Sequence, residues 1–98
     1  MTYKLIFLPS AQKEWNKLAH DIRNQFKKKL VERLKKPDIP KDKLAGMPEC
    51  YKIKLRASGY RLVYRIIKNM LIVEVIAIGT RANEEVYDIA NTRLTERD

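Results

Sequence analysis

Between residues 50 and 78 the chain alternates, and two short breaks divide the alternation into segments 50–55, 60–67 and 71–78. Successive side chains of an extended segment point to opposite faces. The breaks, Ser58-Gly59 and Lys68-Asn69, are too short for any connection but a hairpin. Three consecutive antiparallel strands are thus imposed here, and the rest of the chain must pack around them. In the first strand Tyr51, Ile53 and Leu55 point one way and Lys52, Lys54 and Arg56 the other. Taking Ser58-Gly59 as a two-residue turn sets Arg56 opposite Arg61, Lys54 opposite Val63 and Lys52 opposite Arg65, so all five basic residues share a face. A second two-residue turn at Lys68-Asn69 sends Leu71, Val73, Val75 and Ala77 to the core face with Leu62, Tyr64 and Ile66. Ile72, Glu74, Ile76 and Ile78 then join the basic face. The third strand is apolar on both sides for much of its length. One side can pack on helices; the other needs cover from the C-terminal segment or a partner chain.

The flanking sequence supplies the cover. Residues 3–8 read as a strand closed by Pro9, and Ser10 can cap a helix carrying Ala11, Trp15 and Leu18 at helical spacing. Asp21 can cap a second helix with an apolar stripe of Ile22, Phe26, Leu30 and Leu34, and Val31 beside it. Pro37 ends it. Residues 37–49 form a charged, proline-rich connector, and residues 83–93 are weakly helical with Val86, Ile89 and Ala90 on one side. The expected architecture is a single α+β domain over residues 1–98: a small, mostly antiparallel four-stranded sheet, two N-terminal helices on one face, and a C-terminal helix.

Charge narrows the partner. The net charge is +9, and between Cys50 and Val73 there are six basic residues (Lys52, Lys54, Arg56, Arg61, Arg65, Lys68) and no acidic one. Such a face is either a solvated sheet surface or a platform for a nucleic-acid backbone. Lys27-Lys28-Lys29 on the second helix is likewise either a solvated face or a further hold on a polyanion. One His and one Cys preclude an internal disulfide and a zinc site of the usual kind, and no cofactor is expected. The single Cys fits a reducing cytoplasm. No apolar run approaches the ~20 residues that span a bilayer, and the N-terminal apolar stretch is too short for a signal peptide. His20 reads as a surface or capping residue and Cys50 as a packing residue. No paired carboxylates, nucleophile elbow or phosphate-binding glycine loop is visible.

The hairpin with its approach and exit resembles the RelE toxins of bacterial toxin–antitoxin systems. The matching strings are Lys-Glu-Trp-x-Lys-Leu at 13–18, Phe-Lys-Lys-Lys-Leu at 26–30 and Lys-Leu-x-Gly-Met-Pro at 43–48. They continue with Cys-Tyr-Lys-Ile-Lys-Leu-Arg-x-Ser-Gly-Tyr-Arg-Leu-Val-Tyr at 50–64, Gly-x-Arg at 79–81 and Val-Tyr at 86–87. The resemblance implies a compact twisted sheet with a mobile C-terminal helix, and a ribosome-dependent endonuclease that cuts messenger RNA in the A site without a metal. It implies a cognate RelB-like antitoxin, contacts with 16S rRNA and A-site mRNA, and operator DNA bound only through the antitoxin complex.

In that scheme Lys54 accepts the 2′-proton, Lys52 assists, and Arg61 binds the scissile phosphate. Arg81 matches the family's general acid, although an ordinary Arg pKa leaves electrostatic stabilisation as the alternative. Tyr87 matches a base-stacking residue. Arg56, Arg65, Lys27, Lys28 and Lys29 would add RNA or ribosome contacts. A lysine among cations suits the base role, because neighbouring like charge disfavours its protonated form. Two departures weaken the outer contacts: the family often has Arg where this chain has Ala45, and Lys-Arg-Glu-Arg where it has Thr80-Arg81-Ala82-Asn83. Strict alternation puts Arg81 on the core side, and Gly79 offers a bend that could redirect it. Two other readings stand beside this one: a ParE-like inhibitor of DNA gyrase, and a non-enzymatic basic RNA-binding protein.

Overall fold

The computed structural model describes residues 2–80 and 85–97. Strand β1 (Lys4–Phe7) leads through α1 (Pro9–Lys17) and α2 (His20–Lys35) to β2 (Cys50–Leu55), β3 (Tyr60–Ile67) and β4 (Ile72–Thr80), and α3 (Glu85–Arg97) follows. The sheet order is β1-β4-β3-β2; β1 runs parallel to β4 and the other pairs are antiparallel. β2 is therefore an edge strand.

Two cores flank the sheet. On the helix side Phe26, Leu30 and Ile22 of α2 and Ala11 of α1 pack on Tyr51, Ile53, Leu55, Leu62, Tyr64, Val73 and Val75. Trp15 joins them, its ring 5.3 Å from Phe7 and 6.4 Å from Phe26. On the far side Val86 and Ala90 of α3 cover Met47, Cys50, Val63, Ile76 and Ala77. The second apolar face of β4 is thus closed by the chain's own C-terminal helix, although Ile89 and Val31 stay exposed. Neither expected cap is used. α1 begins with Pro9 after Leu8, and α2 with His20 after Ala19, so Ser10 and Asp21 lie inside their first turns. Proline suits a first helical position because its missing N–H would have no intrahelical partner there.

The register of the hairpins differs from the simple expectation by two residues. Lys54 pairs with Arg61, Lys52 with Val63 and Cys50 with Arg65. The connection is the four residues 56–59, closed by the Gly59 amide donating to the Leu55 carbonyl at 2.8 Å, with Gly59 at φ 78°. The second connection likewise takes four residues, with Leu71 in the left-handed region at φ 56° and Ile67 opposite Ile72. A shift by an even number keeps every side chain on its face.

A β-bulge in β4 does change faces. Val63 pairs with Ala77 but Tyr64 with Val75, leaving Ile76 as the extra residue. Ile76 and Ala77 both enter the α3-side core, and Ile78 turns to the helix side opposite Leu62. This corrects the expected places of Ala77 and Ile78. It also brings Gly79 opposite Arg61, on the basic face.

β1 stops at Phe7, so among the described residues β4 has no neighbouring strand on that side beyond Val75. Two side chains fill the gap. Glu14 of α1 accepts a hydrogen bond from the Ile78 amide at 3.0 Å, while Arg93 of α3 donates to the Ile76 carbonyl at 2.8 Å and to both Glu14 oxygens at 2.9 and 3.0 Å. These contacts fix α3 against the sheet. Arg93→Ala leaves a strand carbonyl and a half-buried carboxylate without this partner. It should cost roughly 1–3 kcal/mol in urea denaturation.

Candidate active site

Lys52, Lys54, Arg56 and Arg61 of the hairpin converge on the end of the sheet nearest residues 56–59. Lys54 and Arg61 stand directly opposite each other, a like-charge pairing that destabilises a sheet slightly. Lys52 lies one side-chain repeat along the same face, and Arg56 follows at the strand's end. Lys54 and Arg56 are exposed; Lys52 and Arg61 are half-buried. Lys54, Arg56, Gly59, Tyr60 and Arg61 border a shallow concavity of about 270 Å³.

Lys54 is the electrostatically distinctive member. Its pKa is held below the ordinary lysine value, chiefly by the Lys52 ammonium, then by Arg61, by partial desolvation and by Arg56. A neutral amine is therefore easier to reach at this position than at an isolated surface lysine.

α3 delivers the aromatic residue. Val86 and Ala90 anchor the helix in the second core, and Tyr87 turns from between them toward Arg61. Arg61 Nη1 donates to the Tyr87 hydroxyl at 2.9 Å, and its guanidinium carbon lies 5.9 Å from the ring centroid. Arg61 Nε is buried with no hydrogen-bond partner among the described residues. A guanidinium tied to tyrosine through one nitrogen retains further donors for an anion.

Other expected site residues are placed differently. Arg65 lies four residues from Arg61, about 13 Å along the strand at an ordinary rise per residue. There it forms an ion pair at 3.2 Å with Glu74, which is only 3% exposed. Arg65 is thus tied into the sheet at the end away from Lys54. Lys27, Lys28 and Lys29 are exposed on α2. Lys29 lines a groove with Lys52, Lys54 and Arg56 along the edge of β2; Lys27 and Lys28 are not among the residues lining it. Arg81, Ala82 and Asn83 lie outside the described residues. Ala45 is exposed on the loop before β2.

Neither lone reactive side chain joins this cluster. Cys50 is buried, and burial pushes its thiol up to about 11, which suits packing rather than nucleophilic attack. His20 is exposed and shares a hydrogen bond with Asn24 at 3.1 Å.

The structure brings the expected Lys52, Lys54, Arg61 and Tyr87 together, and beside them it sets Arg33, which the sequence did not single out. Arg33 Nη1 donates to the backbone carbonyl of Lys52 at 3.2 Å, and Nη2 pairs with Asp42 at 2.5 Å. Its helical position among Lys29, Glu32 and Lys36 resembles any solvated face, and no local pattern marks it.

Comparison with known proteins agrees with this geometry. Residues 5–85 match the family described as ParE toxin of the type II toxin–antitoxin system parDE. The chain is 54% identical over 94 residues to the mRNA interferase toxin RelE of Escherichia coli K12, covering 96% of this chain and 99% of that protein. A putative RelE-like toxin protein of Escherichia coli is 49% identical over 94 residues, covering 96% of this chain and 99% of that protein. Among solved structures, a double mutant of E. coli RelE in the free state superposes with TM-score 0.88 at 54% identity, covering 95% of this chain and 98% of that one. RelE in the intact E. coli RelBE toxin–antitoxin complex gives 0.79 at 56% identity, covering 80% and 95%.

Proposed function

The chain belongs to the RelE/ParE family of toxins from type II toxin–antitoxin systems, and from that premise we propose that it is a messenger-RNA endonuclease acting in the ribosomal A site. The observation that carries the reading is the juxtaposition of Lys54 with Lys52 and Arg61 on one face, with Tyr87 set against Arg61.

The chemistry follows from these groups. Neutral Lys54 takes the proton of a ribose 2′-hydroxyl as the 2′-oxygen attacks the adjacent phosphorus. The bond from phosphorus to the 5′-oxygen of the next nucleotide breaks, giving a 2′,3′-cyclic phosphate and a 5′-hydroxyl. Arg61 and Lys52 neutralise the charge that builds on the phosphoryl oxygens. Tyr87 stacks on and orients a base next to the cut. The leaving 5′-oxygen takes its proton from Arg81 or, with Arg81 acting only as a cation, from water. Arg56 and Lys29 extend the phosphate-binding surface beyond the reacting centre, while Arg65 serves the sheet through Glu74. A RelB-like antitoxin is the cognate partner, since the RelE fold superposes on this chain in a RelBE complex.

The test is toe-printing on translating ribosomes. Cuts should fall in the A-site codon, and a supercoiling assay should show no inhibition of DNA gyrase. Gyrase inhibition without RNA cleavage would reverse the assignment in favour of the ParE-like reading.

A pH dependence follows with a definite sign. The base works only when neutral, so the cleavage rate should rise about tenfold per pH unit until the depressed Lys54 value is passed. Lys52→Met removes the largest influence holding that value down. The rising limb should then move to higher pH, whatever happens to the plateau. A stationary limb in Lys52→Met would argue against Lys54 as the titrating group.

A further inference from the structure

Among the described residues no strand lies beyond β2, yet part of its outer side is held. Lys43 bridges to Tyr51, and the Leu44 amide donates to the Cys50 carbonyl at 2.9 Å. At Lys52 the hold passes to Arg33. Besides its bond to the Lys52 carbonyl, Arg33 Nη1 donates to the Tyr64 hydroxyl at 2.8 Å, and that hydroxyl donates to the Pro37 carbonyl at 2.6 Å. One guanidinium thus joins α2, the 3₁₀ turn Pro40–Asp42, β2 and β3. Only an arginine fork has enough donors, fixed in one plane, to meet the three acceptors Asp42, Tyr64 and Lys52 together.

Arg33, Asp42 and Lys52 also line the groove of about 490 Å³ beside β2. The charged groups around Lys54 are Lys52 on its own strand, Arg56 just past that strand's end, Arg61 on β3, Lys41 and Asp42 on the 3₁₀ turn, and Lys29, Glu32 and Arg33 on α2. Asp42 is the carboxylate that acts on Lys54. It favours the charged ammonium, and it ranks last among the influences on that group.

We propose that Arg33 is a positioning residue for the catalytic lysines: it clamps the edge strand through the Lys52 carbonyl and occupies Asp42 in an ion pair that shields Lys54 from the carboxylate. The inference rests on the reading of Lys54 as general base. Without Arg33, Asp42 would be an uncompensated carboxylate in the groove that Lys54 lines. Its field would hold the proton on Lys54, the form that cannot act as a base.

Single-turnover cleavage on programmed ribosomes, measured across pH, tests this. Arg33→Met should move the rising limb up by roughly 0.3–1 pH unit. Adding Asp42→Asn should bring the limb back while the plateau stays reduced, because the strand clamp is still missing. Arg33→Lys, which keeps the ion pair, should hold the limb near its original position. Tyr64→Phe weakens the same network without freeing Asp42, so it should lower urea stability and leave the limb in place. A limb unmoved in Arg33→Met, or moved equally in Tyr64→Phe, overturns the proposal. Arg33→Gln gives the same reading should the methionine variant fail to fold. A wild-type protein that cleaves with no rising limb at all would instead overturn the base assignment, and this inference with it.

Discussion

Lys54→Ala should lower single-turnover A-site cleavage by about 10²–10⁴-fold, the range for loss of a general base. The fold should not notice. Lys54 is exposed and takes part in none of the ion pairs or side-chain hydrogen bonds found among the described residues. Thermal unfolding should therefore stay essentially where it is in the wild type, as for most surface substitutions. The sharper comparison is Lys54→Arg. It restores charge, length and phosphate attraction, but a guanidinium stays protonated throughout the working range. If Lys54 only bound phosphate, arginine would rescue cleavage. If it removes a proton, arginine will fail while ribosome binding persists. Unchanged cleavage in Lys54→Ala would sink the role outright.

The parts of this site that were legible in sequence share a physical origin. Side-chain alternation has a period of two, so the expected two-residue turns misplaced the register by two and still assigned Lys52, Lys54 and Arg61 to the right face. The strand limits at residues 50–55 and 60–67 were legible because glycine and charged turn residues end the alternation sharply. The bulge at Ile76 was not, since nothing distinguishes an extra isoleucine within a β-branched run. That one residue reverses the parity of everything after it in β4. The Gly79 position then faces the basic side without any bend at the glycine. Contacts between distant side chains were equally invisible. Glu14 and Arg93 lie 79 positions apart, and each alone reads as a solvated helix residue. Yet their contact with the free edge of β4 holds α3 in place, and α3 presents Tyr87. The helix caps failed for a simpler reason: Ser10 and Asp21 have the right chemistry, but the helices start at Pro9 and His20, two residues before those caps would begin them.

Arg61→Ala should reduce the cleavage rate by about 10²–10³-fold, the loss seen when one preorganised donor to a developing oxyanion is removed. Arg61 is preorganised in an observable sense. Its side chain is half-buried, it is flanked by Lys54 on β2 and Gly79 on β4, and its Nη1 is tied to the Tyr87 hydroxyl at 2.9 Å. A donor already held need not be ordered as charge develops. Arg61→Lys should recover little, because a single ammonium cannot hold tyrosine and a phosphoryl oxygen in one plane. Tyr87→Phe keeps the stacking ring and frees the guanidinium, so its own loss should be much smaller. Combined with Arg61→Ala it should add almost nothing through the hydrogen bond, a non-additivity expected of residues in contact. The charge effect supplies an independent check. Arg61 is the second-largest influence lowering the Lys54 pKa, so its removal should also carry the rising limb to higher pH. Loss of transition-state stabilisation alone would drop the plateau and leave the limb where it was. Finding both changes in Arg61→Ala, but only the plateau change in Tyr87→Phe, would separate the arginine's charge from its orientation. A rate within about threefold of wild type in Arg61→Ala would remove it from the chemistry altogether.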